Sequence, residues 1–236
     1  MISALIVAAG QGLRMGTQRR KQYLSLAGLP ILTRTLQVFD RSRIVEQILV
    51  AVPTSELRFC ETEIVARAGL KKRVALVAGG ARRQDSVFNG LQWLSEGEGI
   101  VLIHDGVRPL VTEALIDACI QGASEWGACI PAVRAVDTPK QINADGIITR
   151  TISRETLRMA QTPQAFRLSL IHNAHAEARR RGLEATDDAS LVEYMGAAVH
   201  VIPGLPENIK ITTPGDLAVA EALFALRSHV EAVDAS

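Results

Sequence analysis

The chain has 236 residues, of which 47% are apolar, enough for one large α/β domain with its own core. Its 26 Lys and Arg residues nearly balance 25 Asp and Glu residues, and the net charge of +1 excludes a general attraction to nucleic acid or membrane surfaces. Its three cysteines form no CxxC pair, which disfavours a disulfide framework, a zinc site or a redox motif. A reducing compartment, the cytoplasm, is therefore expected.

Short apolar runs alternate with amphipathic stretches over the first half of the chain. The runs lie at 2–9, 48–52, 74–78, 100–104 and 128–133, and runs of this kind are typical of parallel strands buried on both faces. Residues 2–9 are too short for a membrane span and lack the basic start of a signal peptide. Helical spacing predicts helices after Pro30 and at 55–68, 86–95 and 112–126. This alternation predicts a doubly wound, mostly parallel, Rossmann-like sheet that binds ligands at the carboxyl ends of its strands.

The rhythm changes after residue 133. Residues 137–151 alternate around Asn143-Ala144-Asp145-Gly146, which predicts a projecting β-hairpin, either an ordinary edge hairpin or a functional arm. The predicted remainder is a helix at 168–181, strands near 199 and at 209–211, and a helix from 214 that Thr213 caps. We expect one domain over 1–230, with an arm at about 137–154 and a frayed tail over 231–236.

The first strand leads into a glycine-rich turn, Ala8-Ala9-Gly10-Gln11-Gly12-Leu13-Arg14-Met15-Gly16. Met15 takes the place of the third glycine of the dinucleotide fingerprint, and no P-loop lysine follows Gly16, so both of those motifs are disfavoured. Two interpretations remain. Either backbone N–H groups of the turn meet a triphosphate that Arg14 and Lys21 neutralise, or the turn is a tight one beside a solvated basic stretch.

Seven short motifs follow one another along the chain, the first being this turn with Lys21-Gln22-Tyr23. The others lie at 79–86 (GGARRQDS), 104–109 (HDGVRP), 137–140 (DTPK), 161–164 (QTPQ), 186–190 (TDDAS) and 208–210 (NIK). In this order they resemble the 2-C-methyl-D-erythritol 4-phosphate cytidylyltransferases of the non-mevalonate isoprenoid pathway, over residues 4–223. The resemblance implies a nucleotidylyltransferase fold with a hairpin arm, and transfer of CMP from CTP to 2-C-methyl-D-erythritol 4-phosphate with release of pyrophosphate.

In-line attack of a phosphate oxygen on the α-phosphorus needs neutralised charge and alignment rather than a covalent intermediate. Arg14 and Lys21 are suited to stabilise the charge on the α-phosphate and the leaving pyrophosphate, as the resemblance also implies. Asp105 ends an apolar strand, where a carboxylate needs a partner. Mg²⁺ bridging the CTP phosphates is the expected partner of Asp105, and a capping role for this carboxylate is the alternative.

The nucleotide and polyol sites are assigned with the help of the resemblance. Ala8, Ala9, Gly10 and Gly12 are expected to hold the triphosphate, and Gly80 and Ser86 the cytosine, although an isolated Ser86 also suits a helix N-cap. The resemblance alone implies that Arg108, Thr138, Arg154, Thr162, Thr186 and Lys210 hold the polyol phosphate. The same resemblance implies that Arg154 and Lys210 bind the phosphate group of the polyol phosphate as catalytic residues. It further implies a homodimer in which each arm carries Thr138 and Arg154 into the partner's site.

Three positions depart from the family pattern. Arg20 replaces a usual proline, so that the conformation entering Lys21 is expected to be less fixed, while Ala81 and Glu207 replace an acidic residue and an aspartate. The alternatives left open are a cytidylyltransferase for another polyol phosphate such as ribitol 5-phosphate, a non-catalytic nucleotide-binding module, and a nicotinamide oxidoreductase. We expect His104 to pack beside the site and His172 and His175 to lie at the surface.

Overall fold

An eight-stranded sheet forms the centre of the fold in this computed structural model, which describes residues 1–10, 20–94 and 97–234. The strands are β1 (Ile2–Val7), β2 (Ser25–Leu26), β3 (Leu29–Pro30), β4 (Gln47–Val52), β5 (Arg73–Ala78), β6 (Ile100–Asp105), β7 (Ala128–Arg134), β8 (Lys140–Ile142), β9 (Ile148–Thr151), β10 (Arg158–Ala160), β11 (Gln164–Arg167) and β12 (His200–Pro203). The α-helices are α1 (Ile31–Arg41), α2 (Leu57–Phe59), α3 (Arg83–Trp93), α4 (Glu113–Trp126), α5 (Leu168–Arg181), α6 (Asp188–Tyr194) and α7 (Pro214–Asp234).

The middle of the sheet is parallel and runs in the order β5-β4-β1-β6. Ala4 of β1 pairs with Ile48 of β4 on one side and with Leu102 of β6 on the other. The chain therefore winds outward from β1 through β4 to β5 and then returns to the opposite side of β1. This confirms the predicted doubly wound sheet, in which such a reversal opens a crevice at the carboxyl ends of the strands.

Strand β11 lies inside the sheet and was missed by the sequence reading. It runs antiparallel between β6 and β7, with Phe166 paired to Val101 on one side and to Ala128 on the other. Strand β10 continues along the same edge of β7, and β12 pairs parallel to the opposite edge. Because β11 has only two apolar residues between Gln164 and Arg167, it carries too short a pattern to be recognised.

Alternate residues of β1 face two different helical layers. Ala4 and Ile6 belong to the cluster that includes α1 and α4, whereas Leu5 belongs to the cluster that includes α3, α5 and α6. Three predicted elements need correction. The helix predicted at 55–68 consists of a 3₁₀ turn, Thr54–Glu56, the short helix α2 and a π-helical segment, Cys60–Val65. Residues 209–211 form a loop rather than a strand, although the Ile211 N–H donates to the carbonyl of Val107. The helix predicted at 86–95 begins earlier, at Arg83.

The hairpin at 137–151 projects from the sheet as predicted. Lys140 of β8 pairs with Thr151 of β9, and the turn closes at Gly146, whose φ of 78° favours glycine. The Asn143 side-chain carbonyl accepts hydrogen bonds from the N–H groups of Asp145 and Ile147. Every residue of β8 and β9 is exposed.

None of the helices in the described ranges is long and apolar enough to cross a membrane.

Candidate active site

A cleft of about 430 Å³ opens at the carboxyl ends of β1, β4, β5 and β6. The cleft is lined by Val7 at the end of β1 and Ala8 after it, by Pro53 after β4, by Gly80 after β5 and by Asp105 at the end of β6. This is the position that the doubly wound sheet predicts for a ligand, and the volume suits a small molecule.

The described lining of the cleft is strongly basic. It carries five cationic side chains and a single carboxylate, which are Arg20, Lys21, Arg82, Arg83, Lys210 and Asp105. Such an excess of positive charge at the ends of strands favours a polyanionic ligand. Positive charge is therefore concentrated in this cleft, although the net charge of the chain is only +1.

The turn after β5 packs directly against the turn after β1. A Cβ atom on Gly79 would lie 2.3 Å from the Cβ of Ala9, so only glycine fits there. The Ser86 hydroxyl accepts a hydrogen bond from the Gly80 N–H at 3.0 Å and donates to the Arg82 carbonyl at 3.1 Å. Ser86 thus lies inside the first turn of α3 and shapes the cleft wall, and the N-cap is Arg82, not Ser86.

The predicted nucleotide residues that the structure describes lie together. Ala8, Ala9, Gly10, Gly80 and Ser86 all line the cleft, as does the predicted catalytic Lys21. Gly12 and Arg14 lie outside the described residues.

Asp105 is only 6% exposed and contacts three cations. Its Oδ1 accepts a hydrogen bond from the Arg83 Nε at 3.1 Å, while its Oδ2 lies 2.8 Å from the Lys210 Nζ and 3.7 Å from the Arg108 Nε. Burial by itself raises the pKa of Asp105, but Arg83, Lys210 and Arg108 outweigh burial and hold this pKa well below its usual range. Asp105 is therefore ionised at neutral pH.

Thr162 and His104 support the Asp105 turn from behind. The Thr162 Oγ1 accepts a hydrogen bond from the Asp105 N–H at 3.1 Å and lies 3.0 Å from the His104 Nδ1, and the His104 Nε2 lies 3.1 Å from the Arg108 carbonyl. Because a carbonyl only accepts, Nε2 carries the proton and Nδ1 accepts from Thr162. Burial lowers the pKa of His104 to about 4, so the ring is neutral.

This arrangement confirms the packed position expected for His104 and revises the expected contact of Thr162. Thr162 is only 5% exposed, and its hydroxyl binds protein groups rather than facing the cleft. Arg108 is held in the same cluster, because its Nη1 donates to the Asn208 carbonyl at 2.7 Å. Arg108, Thr162 and Lys210 therefore converge around Asp105.

Three further predicted polyol-site residues lie elsewhere. Thr138, Arg154 and Thr186 are exposed and are not among the described lining residues of the cleft. Arg154 donates from Nη1 to the carbonyl of Val136 at 2.5 Å, at the base of the arm. Of the six predicted polyol-site residues, Lys210 lines the cleft, Arg108 and Thr162 lie beside Asp105, and the other three lie elsewhere in this chain.

A buried ionic chain behind the cleft was missed by the sequence reading. The Arg83 Nη1 lies 2.7 Å from the Asp188 Oδ2, and the Asp188 Oδ1 lies 3.1 Å from the His175 Nε2. Burial raises the pKa of Asp188, but Arg83 and His175 outweigh burial and lower it. The surface position predicted for His175 is wrong, because this ring is 1% exposed. Arg83 and Asp188 belong to the motifs at 79–86 and 186–190, respectively. Their presence in these motifs was the only indication in the sequence that they matter.

Arg20 is also more firmly held than its replacement of a proline suggested. Its φ of −64° and ψ of 142° are values that a proline adopts, and its Nε donates to the Glu56 Oε1 at 2.6 Å. Arg20 therefore adopts a conformation open to proline, and an ion pair rather than a ring holds it there.

The comparison with known proteins decides the family. The family model described as 2-C-methyl-D-erythritol 4-phosphate cytidylyltransferase matches residues 2–226. The chain belongs to this family. It is accordingly a cytidylyltransferase, a nucleotidyltransferase of the non-mevalonate isoprenoid pathway.

Similar relatives match this cytidylyltransferase over nearly its whole length. The enzyme of the family name from Geobacter metallireducens is 50% identical over 226 residues, covering 94% of this chain and 97% of the relative. That from Pelotomaculum thermopropionicum is 48% identical over 226 residues, covering 96% and 95%. The solved structure of 4-diphosphocytidyl-2C-methyl-D-erythritol synthase from Anaerococcus prevotii has a TM-score of 0.83 and 32% identity, covering 95% of this chain and 96% of that chain.

Proposed function

We propose that the cleft binds CTP and that the chain transfers its cytidylyl group to the phosphate of 2-C-methyl-D-erythritol 4-phosphate. An oxygen of that phosphate forms a bond to the α-phosphorus of CTP, and the bond from this phosphorus to the oxygen bridging the α- and β-phosphates breaks. The products are 4-(cytidine 5'-diphospho)-2-C-methyl-D-erythritol and pyrophosphate. The observation that carries this proposal is the set of basic side chains around Asp105 at the carboxyl edge of the sheet, in a chain of this family.

The roles of the cationic residues follow from the charges of the reactants. Two phosphate-bearing anions repel each other, so the site must neutralise them and align them for in-line attack. Lys21 lines the cleft beside the Ala8–Gly10 turn and is assigned, with Arg14, to the CTP phosphates. Lys210 lines the cleft beside Asp105 and is assigned to the polyol phosphate.

We also propose that Asp105 holds Mg²⁺ together with the CTP phosphates. Across the described ranges, no group of three or more His, Cys, Asp or Glu side chains could hold a metal ion. Mg²⁺, however, is commonly held by one or two carboxylates and substrate phosphates. Asp105 is ionised and lines the cleft, and Mg²⁺ would take the place of Arg83 or Lys210 at its oxygens. When bound, Mg²⁺ supplies positive charge to the triphosphate. Loss of turnover in excess chelator, restored by added Mg²⁺, is the expected result, and full activity in chelator would remove the metal from this proposal.

The arm supports a homodimer. Ile142, Ile147 and Ile148 are 59%, 63% and 57% exposed, and an isolated two-stranded hairpin is only marginally stable in water. We propose a C₂ dimer in which each arm packs on the partner subunit and brings Thr138 and Arg154 to the partner's cleft.

Cys60, Cys119 and Cys129 are buried and free of disulfides, which supports a cytoplasmic location.

Pyrophosphate release across the four NTPs and two polyol phosphates tests the reaction. We expect turnover with CTP and 2-C-methyl-D-erythritol 4-phosphate, and little with ATP, GTP or UTP. Equal rates with all four NTPs would refute the cytosine pocket at Gly80 and Ser86. Preference for ribitol 5-phosphate would favour the alternative substrate, which the names of the relatives do not favour. Nucleotide binding without turnover would indicate a non-catalytic module.

A further inference from the structure

A single carboxylate, that of Glu56, connects both ends of the short segment that carries Lys21. The Glu56 Oε1 accepts from the Arg20 Nε at 2.6 Å, and its Oε2 accepts from the Tyr23 hydroxyl at 2.7 Å. Arg20 directly precedes Lys21, and Tyr23 ends the same 3₁₀ turn, Lys21–Tyr23. Glu56 itself lies in the turn after β4, which contributes Thr54 to the cleft lining. The two contacts form what we name the Glu56 bridge.

The Tyr23 end of the bridge is anchored in the core. The Tyr23 ring is 9% exposed and packs edge-to-face on Phe59, with 5.1 Å between ring centroids. Its hydroxyl lies 3.0 Å from the Cys60 Sγ. Burial raises the pKa of Tyr23, and burial also raises that of Cys60, so both groups keep their protons. The thiol can therefore donate to the hydroxyl oxygen while the hydroxyl donates to Glu56.

A second side chain fixes the same segment to the glycine turn. The Gln22 Nε2 donates to the carbonyl of Ala8 at 2.7 Å and lies 3.4 Å from the carbonyl of Gly10. Gln22 is 1% exposed, so this amide is a buried anchor. The backbone on either side of Lys21 is thus held by Arg20 through Glu56 on one side, and by Gln22 and Tyr23 on the other.

We propose that Glu56 is a positioning residue of the cytidylyl transfer, which holds Lys21 in place through Arg20 and Tyr23 without contacting the reacting atoms. This inference rests on the proposed role of Lys21. Arg20 and Glu56 have side chains only 27% and 24% exposed, so this ion pair is less open to solvent than a surface pair. Because small displacements of a catalytic group are costly, losing the bridge is expected to lower kcat by roughly tenfold.

A double-mutant cycle between Glu56 and Lys21 tests the proposal. We would measure kcat and KM for CTP in the wild type, Glu56→Ala, Lys21→Ala and the double variant, with thermal melting of each. Glu56→Gln is the conservative variant, because its amide can accept from Arg20 and donate to the Tyr23 oxygen. Glu113→Ala is the matched control, because it removes another Arg–Glu ion pair. In this pair the Glu113 Oε1 lies 3.0 Å from the Arg41 Nε, and neither residue belongs to the described lining of the cleft.

The expected result is that Glu56→Ala lowers kcat when Lys21 is present but adds little to the loss in the Lys21→Ala variant, because the bridge acts through Lys21. Glu56→Gln should recover much of the rate, and Glu113→Ala should match the wild type. Equal fractional losses with and without Lys21, or an unchanged kcat in Glu56→Ala, would overturn the positioning role.

Two further outcomes separate this inference from the proposed function. If Lys21→Ala keeps full kcat, the proposed role of Lys21 fails and the positioning role fails with it. If Lys21→Ala is impaired while Glu56→Ala is not, only the bridge is refuted.

Should Glu56→Ala fold poorly, Tyr23→Phe removes a single hydroxyl and keeps the ring on Phe59. Tyr23→Phe should show the same dependence on Lys21, and full activity in it would count against the bridge.

Discussion

The cleft at the end of β6 and the hairpin arm present polar residues in opposite surroundings. At the cleft, Asp105 and Thr162 are 6% and 5% exposed, and each is bound to side chains from distant parts of the chain. In the arm, all of β8 and β9 is exposed, and Arg154 contacts a carbonyl of its own segment. The fold of one chain therefore positions the residues around Asp105. Thr138 and Arg154 of the arm would join a site only in the proposed dimer.

The largest effect is expected from removing a cation that is proposed to bind the CTP phosphates. Lys21→Ala should lower kcat by about 10²- to 10³-fold, which is the usual cost of removing one preorganised charge that stabilises a transition state. Its melting temperature should change little, because Lys21 lines the cleft and is not part of the core. Steady-state pyrophosphate release and a thermal melt check both statements. Arg14→Ala is expected to behave alike, and an unchanged kcat in either variant would remove that residue from the catalytic set.

Mixing subunits tests whether the arm completes the partner's site. With the polyol phosphate held well below its KM, the Arg14→Ala and Arg154→Ala proteins are each expected to be nearly inactive. When the two proteins are co-refolded and pair at random, half of the dimers contain one subunit of each kind. Each mixed dimer has one intact site out of two, so roughly a quarter of wild-type activity should return. Verified mixed dimers that stay inactive would show that each site is built from one chain.

The next prediction compares two residues, one from each region, that are proposed to bind the polyol phosphate. Lys210→Ala and Arg154→Ala should each raise KM for the polyol phosphate by about 10- to 100-fold, since a charge-assisted hydrogen bond contributes about 1.5 to 3 kcal/mol. The Kd of CTP, measured by titration calorimetry, should change much less. If Lys210→Ala raises KM for the polyol phosphate and Arg154→Ala does not, the arm does not contribute to binding this substrate.

The last prediction concerns stability behind the cleft, where no change in the catalytic rate is measured. Asp188→Asn should lower the free energy of unfolding at pH 7 by about 3 kcal/mol, because Arg83 loses a buried partner. The pKa of Asp188 is lower in the folded than in the unfolded chain, so its contribution is present above the ordinary aspartate value of about 3.9 and is lost as pH falls through the folded pKa. Urea unfolding at pH 7 and near pH 3 should therefore show the difference between the proteins shrinking in acid. A pH-independent difference would contradict this assignment.

Local patterns were sufficient for much of the fold. The parallel strands β1, β4, β5 and β6 contain continuous apolar runs, although β5, at the edge of the sheet, is only partly buried. The arm is marked by Asn143 to Gly146, whose turn chemistry is local. Helix α5 spans the predicted 168–181. The position of the cleft then follows from the winding of the sheet.

The pairings inside the site could not be obtained in the same way. Arg83 meets Asp188 across about a hundred positions of sequence, and no local pattern specifies that contact. Helical spacing put His172 and His175 near each other but did not show that His175 faces the core. Thr162 was assigned from its motif alone, and only the structure shows that its hydroxyl supports Asp105 and His104.

Strand β11 has a consequence for how the chain is made. It covers the edge of β6 with residues that follow β6 by about sixty positions, after α4, β7 and the arm have been synthesised. Until Gln164–Arg167 leaves the ribosome, β6 has an unpaired strand edge, which is a template for association with other chains. Fragments that stop before this strand should aggregate during translation, whereas fragments that include it should remain dispersed.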